Sequence, residues 1–299
     1  MGLLRRNNTP IPCSPALLFI ALLFNSIVVS SDENVFAIIV SSSDFFRNYR
    51  HTVNVLTIRR ELVKRGVPKE HIILMIADEM SCTARNKYYG RIDSVEHDCD
   101  LYRWDYCDDC RLEDSNIGFY GNDVTVDSFL GVLTNKLPKR FQRKLRLNTN
   151  PTSRLLIFLN GHGGDGFFKF REKEELNERM LQSVLEDAYA LGRFGECLVL
   201  IDTCQAATLI PSKTPPHCSF LASSSFGEES YSYGFDSAQG LPLEDRFVHQ
   251  LRILLWKCDR RKSIPPEEVL SFFSYSLMHS TVGYRLSHAS FSLCDFFSA

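Results

Sequence analysis

Apolar residues gather in short unbroken runs along this chain, and polar residues fill the turns between them. Val35 to Val40, Ile72 to Ala77, Arg154 to Asn160, Cys197 to Asp202 and Ser219 to Ser224 are each dominated by branched or aromatic residues or by small ones. Short runs of this kind, bounded by turn formers, predict strands buried on both faces, as in parallel sheets. Between them the apolar spacing changes to three and four. One helix is predicted through Val53, Leu56, Ile58, Leu62 and Val63, ended by Gly66 and Pro68. Another spans Asp123 to Leu137, with Val124, Val126, Phe129, Leu130 and Leu133 on its apolar side. A third runs from about Lys173 to Arg193 through Leu176, Met180, Leu181, Val184, Leu185 and Ala188. Phe247 to Lys257 and Glu267 to Met278 also read as helical, and the tail from Gly283 shows no strong period. Repeated strand, helix, strand units predict an α/β fold with a mainly parallel, doubly wound sheet.

The chain has 299 residues and a formal net charge of -2, so composition gives no bias towards nucleic acid. Its first residues differ from the rest. Arg5 and Arg6 precede the apolar run Ala16 to Phe24, and small residues follow to Ser31. That order predicts a secretory signal peptide over residues 1–31 and a single catalytic domain over 32–299. No later apolar stretch approaches the roughly 20 residues that span a bilayer. A lumenal compartment permits disulfides, and nine cysteines remain of the ten once Cys13 is removed. An odd count leaves at least one thiol unpaired or bonded to another chain. Asn150 is followed by Pro151, so the expected mature chain carries no acceptor for N-glycosylation.

The long polar stretch from Asp78 to Asn122 contains an acidic cysteine-bearing loop, at about residues 83–121, with Cys99, Cys107 and Cys110. Cys107-Asp-Asp-Cys110 is half of a zinc-ribbon pattern without its second half, so no metal site is expected there.

The chemistry concentrates at the ends of two predicted strands. Arg154 to Asn160 runs into Gly161-His162-Gly163-Gly164-Asp165-Gly166, and Cys197 to Asp202 into Thr203-Cys204-Gln205-Ala206. Parallel strands joined by a crossover place both turns at one sheet edge, where open α/β sheets carry their sites. A thiol is mostly protonated at neutral pH and needs a base to become a nucleophile, which suits His162 beside Cys204. The glycines leave backbone N–H groups free, and those of Gly163 and Cys204 suit an oxyanion hole. Asn48 follows the first strand at the same edge, suited to orienting the imidazole or to capping a turn. Gly227 to Tyr233 follows the Ser219 to Ser224 run, and Ser230 and Ser232 are candidates for a substrate pocket wall.

Phe46-Arg-Asn-Tyr-Arg-His51, Ile73-Leu-Met-Ile-Ala-Asp78, Asn160-Gly-His-Gly-Gly-Asp-Gly-Phe-Phe-Lys-Phe170, Ile201-Asp-Thr-Cys-Gln-Ala-Ala207 and the Ala222 to Ser230 segment give the chain a family resemblance. It resembles the caspase-like catalytic subunits of glycosylphosphatidylinositol (GPI) transamidases, relatives of legumain, from about Val35 to Phe297. The resemblance implies a caspase-like three-layer α/β/α sandwich. It implies Cys204 as nucleophile, His162 as general base then acid, Asn48 as third member, and an oxyanion hole from Gly163 and Cys204. The implied reaction cleaves a C-terminal GPI-attachment signal through a thioester, which the ethanolamine amine of the GPI lipid resolves. Implied partners are the other transamidase subunits, precursor proteins with GPI signals, and the lipid. Cys82 matches a cysteine that bridges to a partner subunit in that family. The implied location is the lumen of the endoplasmic reticulum. Many members carry a C-terminal membrane helix, whereas this sequence ends at Asp295-Phe-Phe-Ser-Ala299, so membrane association through partners is expected. No cofactor is implied as required. The acidic stretch that binds calcium in relatives is shortened at Tyr120 to Asp127, and Lys69 stands in place of an acidic ligand. Two other functions fit the same dyad: a legumain-like asparaginyl endopeptidase resolving the thioester with water, and a non-catalytic scaffold.

Overall fold

The computed structural model describes residues 34–78, 80–95, 117–139, 141, 145–261 and 263–298. The signal peptide expected over 1–31 and the Cys99 to Cys110 part of the acidic loop lie outside the described residues.

The first apolar run forms β1 (Val35–Ser41), and α1 (Tyr49–Lys64) returns the chain to β2 (Ile72–Ile76). Helix α1 ends where expected. Gly66 turns left-handed with φ 93°, and Pro68 follows in an extended conformation. Then come β3 (Ile117–Tyr120), α2 (Val126–Thr134) and β4 (Arg154–Asn160). A small antiparallel sheet, β5 (Gly163–Gly164), β6 (Phe167–Phe170) and β7 (Glu174–Asn177), precedes α3 (Glu178–Ala190). Next are β8 (Glu196–Asp202) and β9 (Cys218–Ala222), then the hairpin β10 (Ser232–Asp236) and β11 (Leu241–Asp245). Helices α4 (Arg246–Cys258), α5 (Pro266–Ser271) and α6 (Tyr275–Met278) lead to the edge strand β12 (Gly283–Arg285).

The main sheet has seven strands in the order β12-β9-β8-β4-β1-β2-β3. All neighbours pair parallel except β12 with β9. Alternate residues sort its apolar side chains onto two faces. Ala37 and Ile39 of β1, Leu156 and Phe158 of β4, and Leu198 and Leu200 of β8 pack with apolar residues of α1 and α4. Ile38, Val40, Ile157, Leu159, Val199 and Ile201 pack with residues of α2 and α3. Helices thus cover both faces, and the architecture is a three-layer α/β/α sandwich. Each large side chain fully buried this way, Phe158 among them, contributes about 2–3 kcal/mol.

Three elements differ from their sequence expectation. Residues 174–177 form β7 rather than the first turn of the helix expected from Lys173. Phe168 and Phe170 of β6 are buried in the core, and pairing β7 with β6 buries Leu176 beside them. Asn177 then starts α3 by accepting a hydrogen bond from the Met180 N–H at 2.9 Å. The helix expected over Glu267 to Met278 divides into α5 and α6. Phe273 turns into the core and Ser274 adopts an extended conformation, its carbonyl accepting from the N–H groups of Leu277 and Met278. The helix expected over Asp123 to Leu137 is confined to α2. The Thr125 side chain caps its start and Asn135, left-handed at φ 57°, ends it.

Candidate active site

Strands β4 and β8 run side by side, so the turns after them leave the sheet at one edge. Their last residues, Asn160 and Asp202, are paired, and Ser41 of β1 pairs with Asn160. These three polar residues continue the rows that bury Ile39, Phe158 and Leu200 further back in the sheet. The α1 and α4 face therefore turns from apolar to polar at its carboxyl end. His162 lies two residues beyond Asn160, and Cys204 two beyond Asp202.

Asn48 settles the tautomer of His162. Its amide Nδ2 donates to the Asp44 carbonyl at 2.5 Å, which directs Oδ1 to His162 Nε2 at 3.0 Å. An amide oxygen only accepts, so Nε2 carries the proton and Nδ1 is left as the basic nitrogen. Asn48 stands at the N-cap position of α1 yet makes no side-chain capping bond there. The imidazole, rather than the helix, takes its oxygen.

Cys204 carries a free, half-buried thiol. No hydrogen bond joins it to His162 among the described residues, and such contacts are often long in unliganded sites. Among the described residues its backbone N–H has no hydrogen-bond partner either. The His162 carbonyl accepts from the Lys169 N–H at 2.9 Å. The Gly163 N–H belongs to the same trans peptide and so points the opposite way, away from β6. The Gly163 amide expected in an oxyanion hole is thus turned away from the ladder. Gly163 has no room for a side chain. A Cβ there would lie 2.7 Å from both Thr203 Oγ1 and the Phe167 carbonyl oxygen.

The turn carrying Cys204 is tied to the 224–228 segment by residues that sequence reasoning left without a role. Gln205 is left-handed at φ 54°, a costly conformation for a side-chain-bearing residue. Its N–H donates to the Glu228 carbonyl at 2.9 Å, and its Oε1 accepts from the Gly227 N–H at 3.1 Å. Ala206 N–H donates to Ser224 Oγ at 3.2 Å. Cys204 therefore sits in a strained turn held from outside.

A buried polar network lies behind the dyad. Ser230 Oγ donates to Asp202 Oδ1 at 2.6 Å, and Asn160 Nδ2 donates to Asp202 Oδ2 at 3.2 Å. Asp245 accepts from Arg50 Nε at 2.9 Å and from Asn54 Nδ2 at 2.5 Å. Burial, then the nearby charge of Asp245, pushes the Asp202 carboxyl up to about 7, while Ser230 opposes the rise. Burial lowers His51 well below the ordinary histidine range, with Arg50 and His162 adding to it, so His51 is neutral. Burial also lowers His162; Glu172 opposes this, Arg50 and Arg47 reinforce it, and Asp245 opposes it. Ser230 thus joins the network. Ser232 is exposed on β10, its backbone paired with Asp245. Cys82 is half-buried, with Sγ 3.4 Å from Ser81 Oγ.

Several of these residues had a sequence signal. Asp202 is a lone acid ending an apolar strand, and Arg50 and His51 stand in the motif around Asn48. Asn54 and Asp245 had none, being 191 residues apart in sequence. Among the described residues, no group of three or more His, Cys, Asp or Glu is placed to hold a metal ion.

A cysteine and a histidine with a fixed tautomer, at adjacent carboxyl ends of a parallel sheet, define a cysteine-nucleophile enzyme of the α/β class. The family model of the Peptidase C13 family matches residues 35–253. The chain belongs to that family. It is 36% identical over 272 residues to the GPI-anchor transamidase of Schizosaccharomyces pombe, covering 90% of this chain and 69% of that protein. The GPI-anchor transamidase of Saccharomyces cerevisiae is 32% identical, with 86% and 61% covered, and that of Homo sapiens 34% identical, with 86% and 63% covered. The chain thus spans about two thirds of the length of these relatives. Among solved structures, caspase-1 from Spodoptera frugiperda matches with a TM-score of 0.44 and 9% identity, covering 86% of this chain and 88% of that one.

Proposed function

We propose that this chain is the catalytic subunit of a GPI transamidase. The observation that carries the reading is the fixed tautomer of His162, which leaves Nδ1 as a base at the sheet edge that presents Cys204. The names of the relatives supply the substrate class. In this mechanism His162 Nδ1 takes the Cys204 proton, and the thiolate attacks the carbonyl preceding the GPI-attachment signal. The amides of Gly163 and Cys204 hold the oxyanion. His162 returns the proton to the leaving amide nitrogen, the signal peptide departs, and a thioester remains on Cys204. The ethanolamine amine of the GPI lipid attacks the thioester next, forming the amide and breaking the C–S bond. Its proton passes through His162 Nδ1 to the departing Cys204 sulfur, which restores the thiol and the neutral imidazole. Ser230 and Ser232 wall the pocket for the acyl residue, with Asp202 behind Ser230.

Such an enzyme works in the lumen of the endoplasmic reticulum with other subunits, one of them disulfide-linked through Cys82. Among the described residues no helix is long and apolar enough to cross a membrane, and in this reading membrane association comes through the partners. The test is rescue of GPI anchoring in depleted cells. Wild type restores a surface-anchored reporter, while Cys204→Ala assembles with the partners and does not. Full rescue by Cys204→Ala overturns the reading in favour of a scaffold.

A further inference from the structure

Protonation of His162 creates a cation, and its nearest polar neighbour, Asn48, is an uncharged amide. The charged groups around the ring pull in opposite directions. Arg47 and Arg50 oppose an imidazolium, and His51, 5.1 Å away ring to ring, is neutral. Asp245 favours it but is already engaged by Arg50, Asn54 and Asn160. Lys169 lies close by and is paired with an acid. That acid is Glu172, whose Oε1 lies 4.0 Å from His162 Nε2.

Glu172 is held at the tip of the β6–β7 hairpin by an unusual turn. Lys173 N–H donates to the Phe170 carbonyl at 3.0 Å, closing a four-residue turn around Arg171 and Glu172. Both central residues are left-handed, with φ 53° and 57°. Turns of this shape favour Asn and Gly, and a pair of long side chains there persists only when its surroundings hold it. Arg171 does that holding. Its Nε contacts Asp44 Oδ1 at 3.0 Å and Oδ2 at 3.3 Å, its Nη1 reaches Asn122, and its N–H donates to the Ser42 carbonyl at 2.7 Å. Asp44 is the residue whose carbonyl orients Asn48. One residue therefore references both groups that face His162 Nε2. Lys169 Nζ binds Glu172 Oε2 at 3.2 Å, which leaves Oε1 for the imidazole.

We propose that Glu172 is a positioning residue for His162, its carboxylate stabilising the imidazolium that forms when Nδ1 takes the Cys204 proton. The inference rests on the reading of Cys204 and His162 as the dyad. No bond changes at Glu172. Its charge shifts the balance between neutral dyad and thiolate–imidazolium pair.

The test uses the assembled complex and the pH profile of Cys204 alkylation by iodoacetamide, beside GPI transfer to a reporter. Glu172→Gln keeps the size and removes the charge. It is expected to slow alkylation at pH 7 by about tenfold and to move the imidazolium limb down by roughly one pH unit, the span of one nearby opposite charge. Glu172→Asp, which keeps the charge, is expected to restore most of both. Melting temperatures of the two variants separate a folding loss from a charge effect. A Glu172→Gln profile superimposable on wild type overturns the inference, as does a Glu172→Asp variant equally impaired at the same melting temperature. Either result leaves the dyad intact so long as Cys204→Ala is inactive. Transfer by Cys204→Ala instead removes the reading on which the inference stands.

Discussion

Asn160 Nδ2 donates to Asp202 Oδ2 at 3.2 Å from the paired position on the neighbouring strand. This contact joins the ends of the two strands that carry the dyad, and it contacts a carboxyl raised to about 7. A carboxyl raised in the folded state binds a proton there while the unfolded chain, near 3.8, has lost it. Its stabilising contribution is therefore complete below the unfolded value and declines as pH rises from about 4 towards 7. Asp202→Asn removes that decline. Thermal melts between pH 4 and 8 are expected to fall less steeply with pH for the variant than for wild type. Parallel slopes would show that Asp202 is ionised throughout.

Asn48→Ala removes the acceptor that sets the His162 tautomer and orientation. A misplaced base costs about a hundredfold in rate. GPI transfer by the assembled complex is expected to fall by that order, with substrate binding little changed, in a KM-against-kcat comparison. Wild-type kcat in Asn48→Ala would mean that the imidazole is oriented by other contacts.

Gly163→Ala is expected to impair catalysis more than its single methyl suggests. The added Cβ meets Thr203 and the Phe167 carbonyl at 2.7 Å, so the backbone must move, and the proposed oxyanion donor moves with it. Losing one such donor costs about 10²- to 10³-fold in kcat. Kinetic comparison with Gly166→Ala, a residue with open space where its Cβ would stand, separates displacement from turn strain.

The Cys258–Cys294 disulfide joins the end of α4 to the tail across a sequence separation of 36 residues. It lies apart from the dyad residues in sequence and contacts none of them. Replacing both cysteines by serine is expected to reduce unfolding free energy by about 2–4 kcal/mol. Denaturant titration measures that loss, and Cys204 alkylation of the folded variant should keep its wild-type rate.

Much of this fold is legible in the pattern of apolar runs because its strands are buried on both faces. The five runs predicted as strands became β1, β2, β4, β8 and β9. The β10–β11 hairpin escaped because it is part-exposed and contains Gly234 and Pro242, which argue locally against a strand. Strand β7 escaped because Leu176 sits four residues before Met180 and extends the helical spacing of α3 backwards. The placement of His162 and Cys204 at one sheet edge is readable because each follows a strand end by two residues. Gln205 and Glu172 are not, since their roles depend on left-handed turns and on partners brought in from other segments.

In the proposed mechanism the acyl group passes through a thioester on Cys204. The most direct measurement adds hydrazine to the assembled wild-type complex with a reporter bearing a GPI signal, and reads the new C terminus by mass spectrometry. A hydrazide at the cleavage site, absent with Cys204→Ala, is the expected result. Only a free carboxylate at that site, whatever the hydrazine concentration, would contradict transfer and leave a water-resolved endopeptidase.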